Sequence, residues 1–509
     1  MAETNPHSYR TILRSSSIIG SASLVDILNG IIRAKVIAVL LGPAGIGLMG
    51  MFGNLMQTAS TLAALGIGNS GSRQIAEANA NGSDHAVLRT RKALLSATIC
   101  LALIGAGTFW LGRDWIADTA FGGSIPASTV GWLALGLALS VAGGSQIAYL
   151  GGMRQVGDIA RLRIFSALGA TAIAIPLVTV LGQQAILPVV LIAPAVSFIL
   201  GHYFVRRQLR GSKTLQSHGL ALHELFSEWK SLIGLGLAFM LSTLVIKGAE
   251  FVLRVLVLED SGADAVGWFQ ASWAIGMMYL NFVLAAMGVD YYPRLVGAIK
   301  EPSNARQMIN EQTEVALLFG GGFVLGMLSL APLAITILYS NDFAPAAKIL
   351  RYQLIGDVLK LVSWPLGIAL LALGRGRTYI LTQTCAAATL VGVTYLLLPI
   401  AGIEATGIAF VAMYVVVLPI NLFVVARDLG FRWKKEIVLL LTFLLAASIG
   451  IVSLSHYSDF ATALIGGSIA VIFTAFGLLR VVAMAGIGGR AGRIAAIFAA
   501  SLQRLGLKN

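Results

Sequence analysis

Charge is scarce in this sequence. Asp, Glu, Lys and Arg make up 12% of its 509 residues, about half of the ~25% carried by an ordinary soluble domain. Cysteine is nearly absent: Cys100 and Cys385 fall in separate apolar stretches, where a lone thiol is a small packing residue, so neither a disulfide framework nor a metal site follows. The six histidines, His7, His85, His202, His218, His223 and His456, are scattered and make no H-E-x-x-H spacing. No metal, no cofactor and no catalytic centre is therefore expected, and the chain is not read as an enzyme. "GIGLMG", residues 45–50, matches G-x-G-x-x-G, but no strand precedes it and no βαβ unit fits the surroundings. It reads instead as a turn entering a glycine-rich helix.

What the sequence has in quantity is apolar length. Hydrophobic residues reach 57%, in runs of the roughly 20 residues that cross a hydrocarbon core of about 30 Å. About fourteen such spans are expected, near 15–41, 47–72, 92–111, 130–151, 160–181, 184–205, 231–258, 266–292, 313–338, 348–373, 378–400, 403–426, 436–455 and 460–484. The fold class is an all-α integral membrane protein. The first span is too long for a signal-peptide core and should stay attached. Basic residues orient the chain, because Lys and Arg are retained on the cytoplasmic side. They crowd alternate connections, Arg89, Arg91 and Lys92, then Arg206, Arg207, Arg210 and Lys213, then Arg427, Arg432, Lys434 and Lys435, while the intervening ones offer only Arg113. Both termini are thus expected in the cytoplasm. The net charge of +13 follows from topology and attraction to anionic membrane lipids, not from nucleic acid.

An internal repeat organises the spans. "LNGIIRAKVIAVL" (28–40) aligns with "AEFVLRVLVLEDS" (249–261), and Arg33 with Arg254, at a shift of 221. Gly47 and Gly267 align at 220, and Arg73 with Arg294 at 221. Spans 1 and 7 both run outward. The expected domains are an N-terminal six-helix lobe (1–205), an amphipathic cytoplasmic connection (206–230) around Leu222, Phe226 and Trp229, a second six-helix lobe (231–426), and an additional helix pair with a basic tail (427–509).

The few charges inside the spans share helix faces. Asp26, Asn29 and Arg33 stand at i, i+3 and i+7 in span 1, and Lys247, Glu250 and Arg254 repeat that spacing in span 7. In span 10, "YQLIGDVLKLVSW" aligns Gln353, Asp357, Lys360 and Trp364. Each ionisable group costs about 2.5–3.5 kcal/mol in the bilayer centre even on the lenient insertion scale, so these should face water or one another. Lys35 lies off the Arg33 face and has a snorkelling role open to it. The stripes could be pure bracing, with Asp357–Lys360 and Glu250–Lys247 or Glu250–Arg254 as ion pairs. Against that, Arg33, Lys247, Arg254 and Lys360 outnumber Asp26, Glu250 and Asp357. An excess cation suggests an anionic cargo. Span 2 adds Asn54, Gln57, Thr58 and Thr61, suited to lining a sugar path or to helix-to-helix hydrogen bonds.

"LLGPAGIGLMG" at the first outer turn and "YQLIGDVLKLVSW" in span 10 resemble the Wzx-type polysaccharide flippases, particularly the O-antigen and enterobacterial common antigen lipid translocases, over residues 11–426. The resemblance implies two six-helix lobes around a V-shaped central cavity. It also implies a cargo, undecaprenyl-pyrophosphate-linked oligosaccharide, moved across the bacterial inner membrane. On that reading Arg33, Lys247, Arg254 and Lys360 pair with the pyrophosphate or acidic sugars. Asp26, Glu250 and Asp357 hold these cations when cargo is absent or carry a coupling H+ or Na+, and Asn29, Asn54, Gln57, Gln353 and Trp364 line the glycan. Contact with the polysaccharide polymerase machinery is a further implied partnership. Spans 436–484 depart from relatives that stop after twelve spans. A drug or cation exporter of the same superfamily would favour an acid-dominated cavity, and a polymerase or ligase would need a larger outer loop than residues 112–129.

Overall fold

The computed structural model describes residues 6–80, 84–210 and 222–484. Side chains of residues 6–24, Asp26, Leu222 and Phe226 lie outside the described residues, as do the charges of Lys213 and of the tail from Arg490 to Lys508. The described chain is helical, with no strand among the described residues. Lipid explains this, since a helix satisfies its own backbone groups where no water can. Nine helical runs among the described residues are long and apolar enough to cross a membrane; three, at 27–64, 156–210 and 376–429, hold 38, 55 and 54 residues. Each of these three exceeds the ~20 residues of a single crossing.

By contacts the chain forms two compact units, residues 1–267 and 268–509. The first contains α1 (Pro6–Ala64), α2 (Ile67–Ala80), α3 (Asp84–Leu111), α4 (Arg113–Phe121), α5 (Ala127–Gly152), α6 (Val156–Leu181), α7 (Ile186–Arg210) and the first part of α8 (Leu222–Ala298). The second contains the rest of α8, then α9 (Pro302–Ser329), α10 (Ala331–Leu338), α11 (Ala346–Ala372), α12 (Gly376–Ala401), α13 (Ala405–Leu429), α14 (Lys435–Ser455) and α15 (Asp459–Met484).

The repeat in the sequence reappears in the backbone. Gly42 breaks α1 at φ 67°, ψ −173°, and Gly262 breaks α8 at φ 83°, ψ −178°, 220 positions later. Only glycine adopts such angles without strain. Arg154 (φ 56°) and Gly374 (φ 71°) are also 220 apart, as are Gly182 (φ 55°) and Gly402 (φ 58°). The last two each open a 3-10 turn between paired helices. Short α4 and α10 occupy corresponding places after α3 and α9.

In the first unit, the second half of α1 lies against the first half of α8 with bare backbone at both ends. A Cβ at Gly47 would stand 2.7 Å from Ala263 O and from Gly267 N, and one at Gly66 would collide with Gly236 O. Trp229, from the expected amphipathic connection, packs on a core of Ile75, Leu94, Leu150 and Phe204, and its Nε1 donates to Ser96 Oγ at 3.1 Å. In the second unit the terminal pair is built in. A Cβ at Gly321 would meet Leu444 at 2.7 Å, and Gly322 lies against Thr474, so α14 and α15 close on the glycines of α9. Arg480 Nε donates to Glu314 Oε1 at 2.6 Å with both residues buried. Arg351, also buried, donates to Asp459 at 2.7 Å.

Candidate functional site

Polar groups of spans 2 and 7 meet at one carboxylate in the first unit. Glu250 is 7% exposed and receives Lys247 Nζ at 3.1 Å on both oxygens. Asn54 Nδ2, from the second half of α1, donates to Glu250 Oε2 at 3.1 Å. Arg254 stands 3.9 Å from the same oxygen and donates to the Glu250 backbone carbonyl at 2.7 Å. Helical spacing supplies this arrangement, since Lys247, Glu250 and Arg254 lie on one face of α8. Thr58 turns to the same helix, donating to Lys247 O at 3.4 Å. Arg254 is 3% exposed, whereas the Lys247 side chain keeps 28% of its surface open. Lys247 is the cation of this group with a free approach.

Span 1 contributes separately. Asn29 Nδ2 donates to Thr171 Oγ1 at 3.0 Å, which ties α1 to α6. Arg33 is half-buried, and no carboxylate among the described residues pairs with it; the side chain of Asp26 lies outside those residues. Lys35, also half-buried, has an interaction within the protein. Gln57 is exposed and lines a cavity together with Ser60 and Thr61.

In the second unit the span 10 motif sits on α11. Asp357, 1% exposed, accepts a hydrogen bond from Tyr279 Oη at 2.5 Å, and its Oδ1 has no hydrogen-bond partner. Neither end of the Gln353 amide has a partner, although Gln353 is 2% exposed. Gly276 faces both, with an added Cβ 3.7 Å from Gln353 Oε1 and 3.9 Å from Asp357 Oδ2. Lys360 does not ion-pair with Asp357 among the described contacts. Its Nζ lies 3.7 Å from Met277 Sδ. The i, i+3 spacing permits the pair, but the Asp357 carboxylate is turned to Tyr279. Trp364 packs on Tyr291, ring centroids 5.9 Å apart, and against Gly288, inside an apolar cluster.

Sequence reasoning passed over three pairings. Tyr279 carries one hydroxyl in an apolar run, and nothing in its spacing names Asp357. Glu314 with Arg480, and Arg351 with Asp459, were within reach, since a lone charge in an apolar helix calls for an opposite one.

Residues 12–297 match the family described as polysaccharide biosynthesis protein. The lipid III flippase of Escherichia coli (strain K12) is 25% identical over 417 residues, covering 80% of this chain and 96% of that protein; the lipid III flippase of Shigella flexneri matches to the same extent. Among solved structures, the lipid II flippase MurJ in an inward closed conformation superposes with a TM-score of 0.66 at 12% identity, over 91% of this chain and 98% of that one. An inward-facing multidrug resistance MATE family transporter of the MOP superfamily gives 0.63 at 17% identity, over 82% and 98%. At those identities the structural likeness is one of fold.

Proposed function

The chain belongs to the polysaccharide biosynthesis protein family, and on that premise we propose that it is a flippase carrying undecaprenyl-pyrophosphate-linked oligosaccharide from the cytoplasmic to the periplasmic leaflet of the bacterial inner membrane. The product serves assembly of a surface polysaccharide such as O-antigen or exopolysaccharide. The task is transport rather than catalysis. The observation that carries this reading is that Arg33 and Lys360, both in membrane-spanning helices, form no salt bridge among the described residues, while Glu250 engages Lys247 and Arg254. Unpaired cations in lipid are costly unless an anion visits them.

The cargo explains the need. Its tail can stay in the bilayer, but its pyrophosphate and glycan cannot cross unshielded, because burying a charge without partners is prohibitive. Arg33 receives phosphate oxygens through a forked guanidinium, and Lys247 and Lys360 act as point charges. Arg254 sets the position of Glu250, and Asn54, Gln57 and Asn29 meet glycan hydroxyls. Asp357 and Gln353 are suited to a coupling H+ or Na+, since they present oxygens without partners in a buried setting. The proposal includes about fourteen crossings, lobes at 1–205 and 231–426, cytoplasmic termini, and contact with the polymerase that consumes the cargo.

In a strain lacking the gene, surface polysaccharide is expected to disappear while lipid-linked glycan accumulates on the cytoplasmic leaflet. Extracted membranes should still assemble the lipid-linked unit; failure to assemble it would move the protein to a biosynthetic enzyme. Orientation has its own check in single-cysteine labelling of intact cells. Tyr457→Cys, at a position 88% exposed, is expected to react with an impermeant maleimide from outside, and Lys213→Cys only after lysis. The reverse pattern would invert the topology.

A further inference from the structure

One cavity of the first unit sets neutral polar side chains among glycines and apolar residues such as Met56 and Val141. It measures about 410 Å³ and lies between the second half of α1, the start of α2 and α5, with Gln57, Ser60, Thr61, Ser140 and Ser145 on its wall. No Asp, Glu, Lys or Arg lines it. Its size falls in the range of roughly 300–1,000 Å³ typical of small-molecule sites.

The hydroxyls are arranged to accept. Ser60 donates to Met56 O at 2.6 Å, Thr61 to Gln57 O at 2.9 Å and Ser145 to Ala142 O at 2.8 Å. Their protons are committed to their own helices, and their lone pairs remain for a ligand. The exposed Gln57 amide adds two donors and an acceptor.

Three glycines keep the space open. In membrane helices small residues usually admit a neighbouring helix, as Gly47 and Gly66 do here. Gly53, Gly68 and Gly144 do not. A Cβ at Gly53 or Gly144 would meet nothing within 4 Å, and one at Gly68 only Gly144 O at 3.9 Å. The room beside them is cavity rather than helix contact.

The occupant follows from this lining. A phosphate would require a cation, and an alkyl chain would leave the Gln57 amide and the hydroxyl lone pairs facing the space without a partner. A sugar ring, uncharged and bearing hydroxyls that both donate and accept, answers them. We propose that this cavity is a subsite for a neutral sugar of the lipid-linked glycan, which rests on the flippase reading. Its place also follows. Asn54 and Thr58 turn to Glu250 and Lys247, whereas Gly53 and Gln57, one residue earlier in each case, turn to the cavity. One helix therefore offers the charged group on one face and the neutral pocket on the next, which puts a neutral sugar close to the pyrophosphate.

The test uses the full-length protein in lipid nanodiscs and two synthetic probes, a short polyprenyl pyrophosphate bearing one N-acetylhexosamine and the same lipid pyrophosphate without sugar. Gly144→Leu fills the pocket from an exposed position, and Gln57→Leu removes its amide. Both variants are expected to weaken the sugar-bearing probe about tenfold, the loss of one or two hydrogen bonds, and to leave the bare probe within about twofold. Equal weakening of both probes, or unchanged affinity for the sugar-bearing one, overturns the subsite. So does wild-type protein that binds the two probes equally, while leaving the flippase reading intact. Wild-type protein that binds neither probe overturns the flippase reading itself.

Discussion

Glu250→Ala is expected to abolish surface polysaccharide and to deplete the protein from the membrane fraction. Glu250 is the common partner of Lys247, Asn54 and Arg254. Removing one member of a buried ion pair costs about 3–5 kcal/mol, because it leaves the opposite charge uncompensated. That is a large part of the ~5–15 kcal/mol that holds a typical protein folded. Glu250→Gln retains an acceptor for Asn54 but no charge, so its abundance should fall between alanine and wild type. Asn54→Ala removes one hydrogen bond and should cost about 1 kcal/mol. Immunoblots of membranes, read beside surface glycan, separate folding from transport. Normal abundance with normal glycan in Glu250→Ala would show that the carboxylate is idle.

Lys360→Ala is expected to do the opposite: normal abundance with transport lost. Its nearest described polar contact is the Met277 sulfur; Asp357, whose charge it offsets from beyond ion-pair distance, keeps its hydrogen bond from Tyr279, and that bond is expected to hold the acid in place. A charge that pairs with cargo phosphate contributes roughly 2–5 kcal/mol of binding, enough to bring surface polysaccharide to background. Lys360→Arg should retain partial activity, because the charge persists while donor geometry changes. The double variant Asp357→Asn, Lys360→Ala should reach normal abundance and stay inactive. Full transport by that double variant would remove Lys360 from any role with cargo.

The sequence displayed the apolar runs, and with them the helical class, because a span of hydrocarbon thickness needs a continuous apolar stretch whatever surrounds it. It also displayed the duplication, since Arg33 with Arg254 and Gly47 with Gly267 recur at shifts of 221 and 220, whereas the matching breaks at Gly42 and Gly262 came only with the backbone. Helical spacing placed Lys247, Glu250 and Arg254 on one face, and they do meet. The reach of that reasoning stops at the helix surface. Periodicity tells which residues share a face, but not which neighbour the face meets or at what depth. Asp357 and Lys360 satisfied the spacing for a pair, and a hydroxyl 78 positions away took the carboxylate instead. Trp364 has the same register as the polar stripe and packs on Tyr291, because register along a helix does not say which neighbour an indole meets. The neutral pocket was half visible in Gln57 and Thr61. Its other wall, Ser140 and Ser145, lies on a helix whose approach no local pattern records.

The pair of Glu314 and Arg480 has a consequence in time. The two residues are 166 positions apart, and at a synthesis rate of about 5–20 residues per second the arginine leaves the ribosome roughly 10–30 s after the glutamate. During that interval α9 is already made, and its carboxyl has no guanidinium to meet. It must wait at the aqueous edge of the bilayer or beside a helper in the insertion machinery, since an ionised carboxylate is not left bare in lipid. The last described helix, α15, is thus the one that releases an early helix to its final depth. Assembly of the second unit is completed from its C-terminal end.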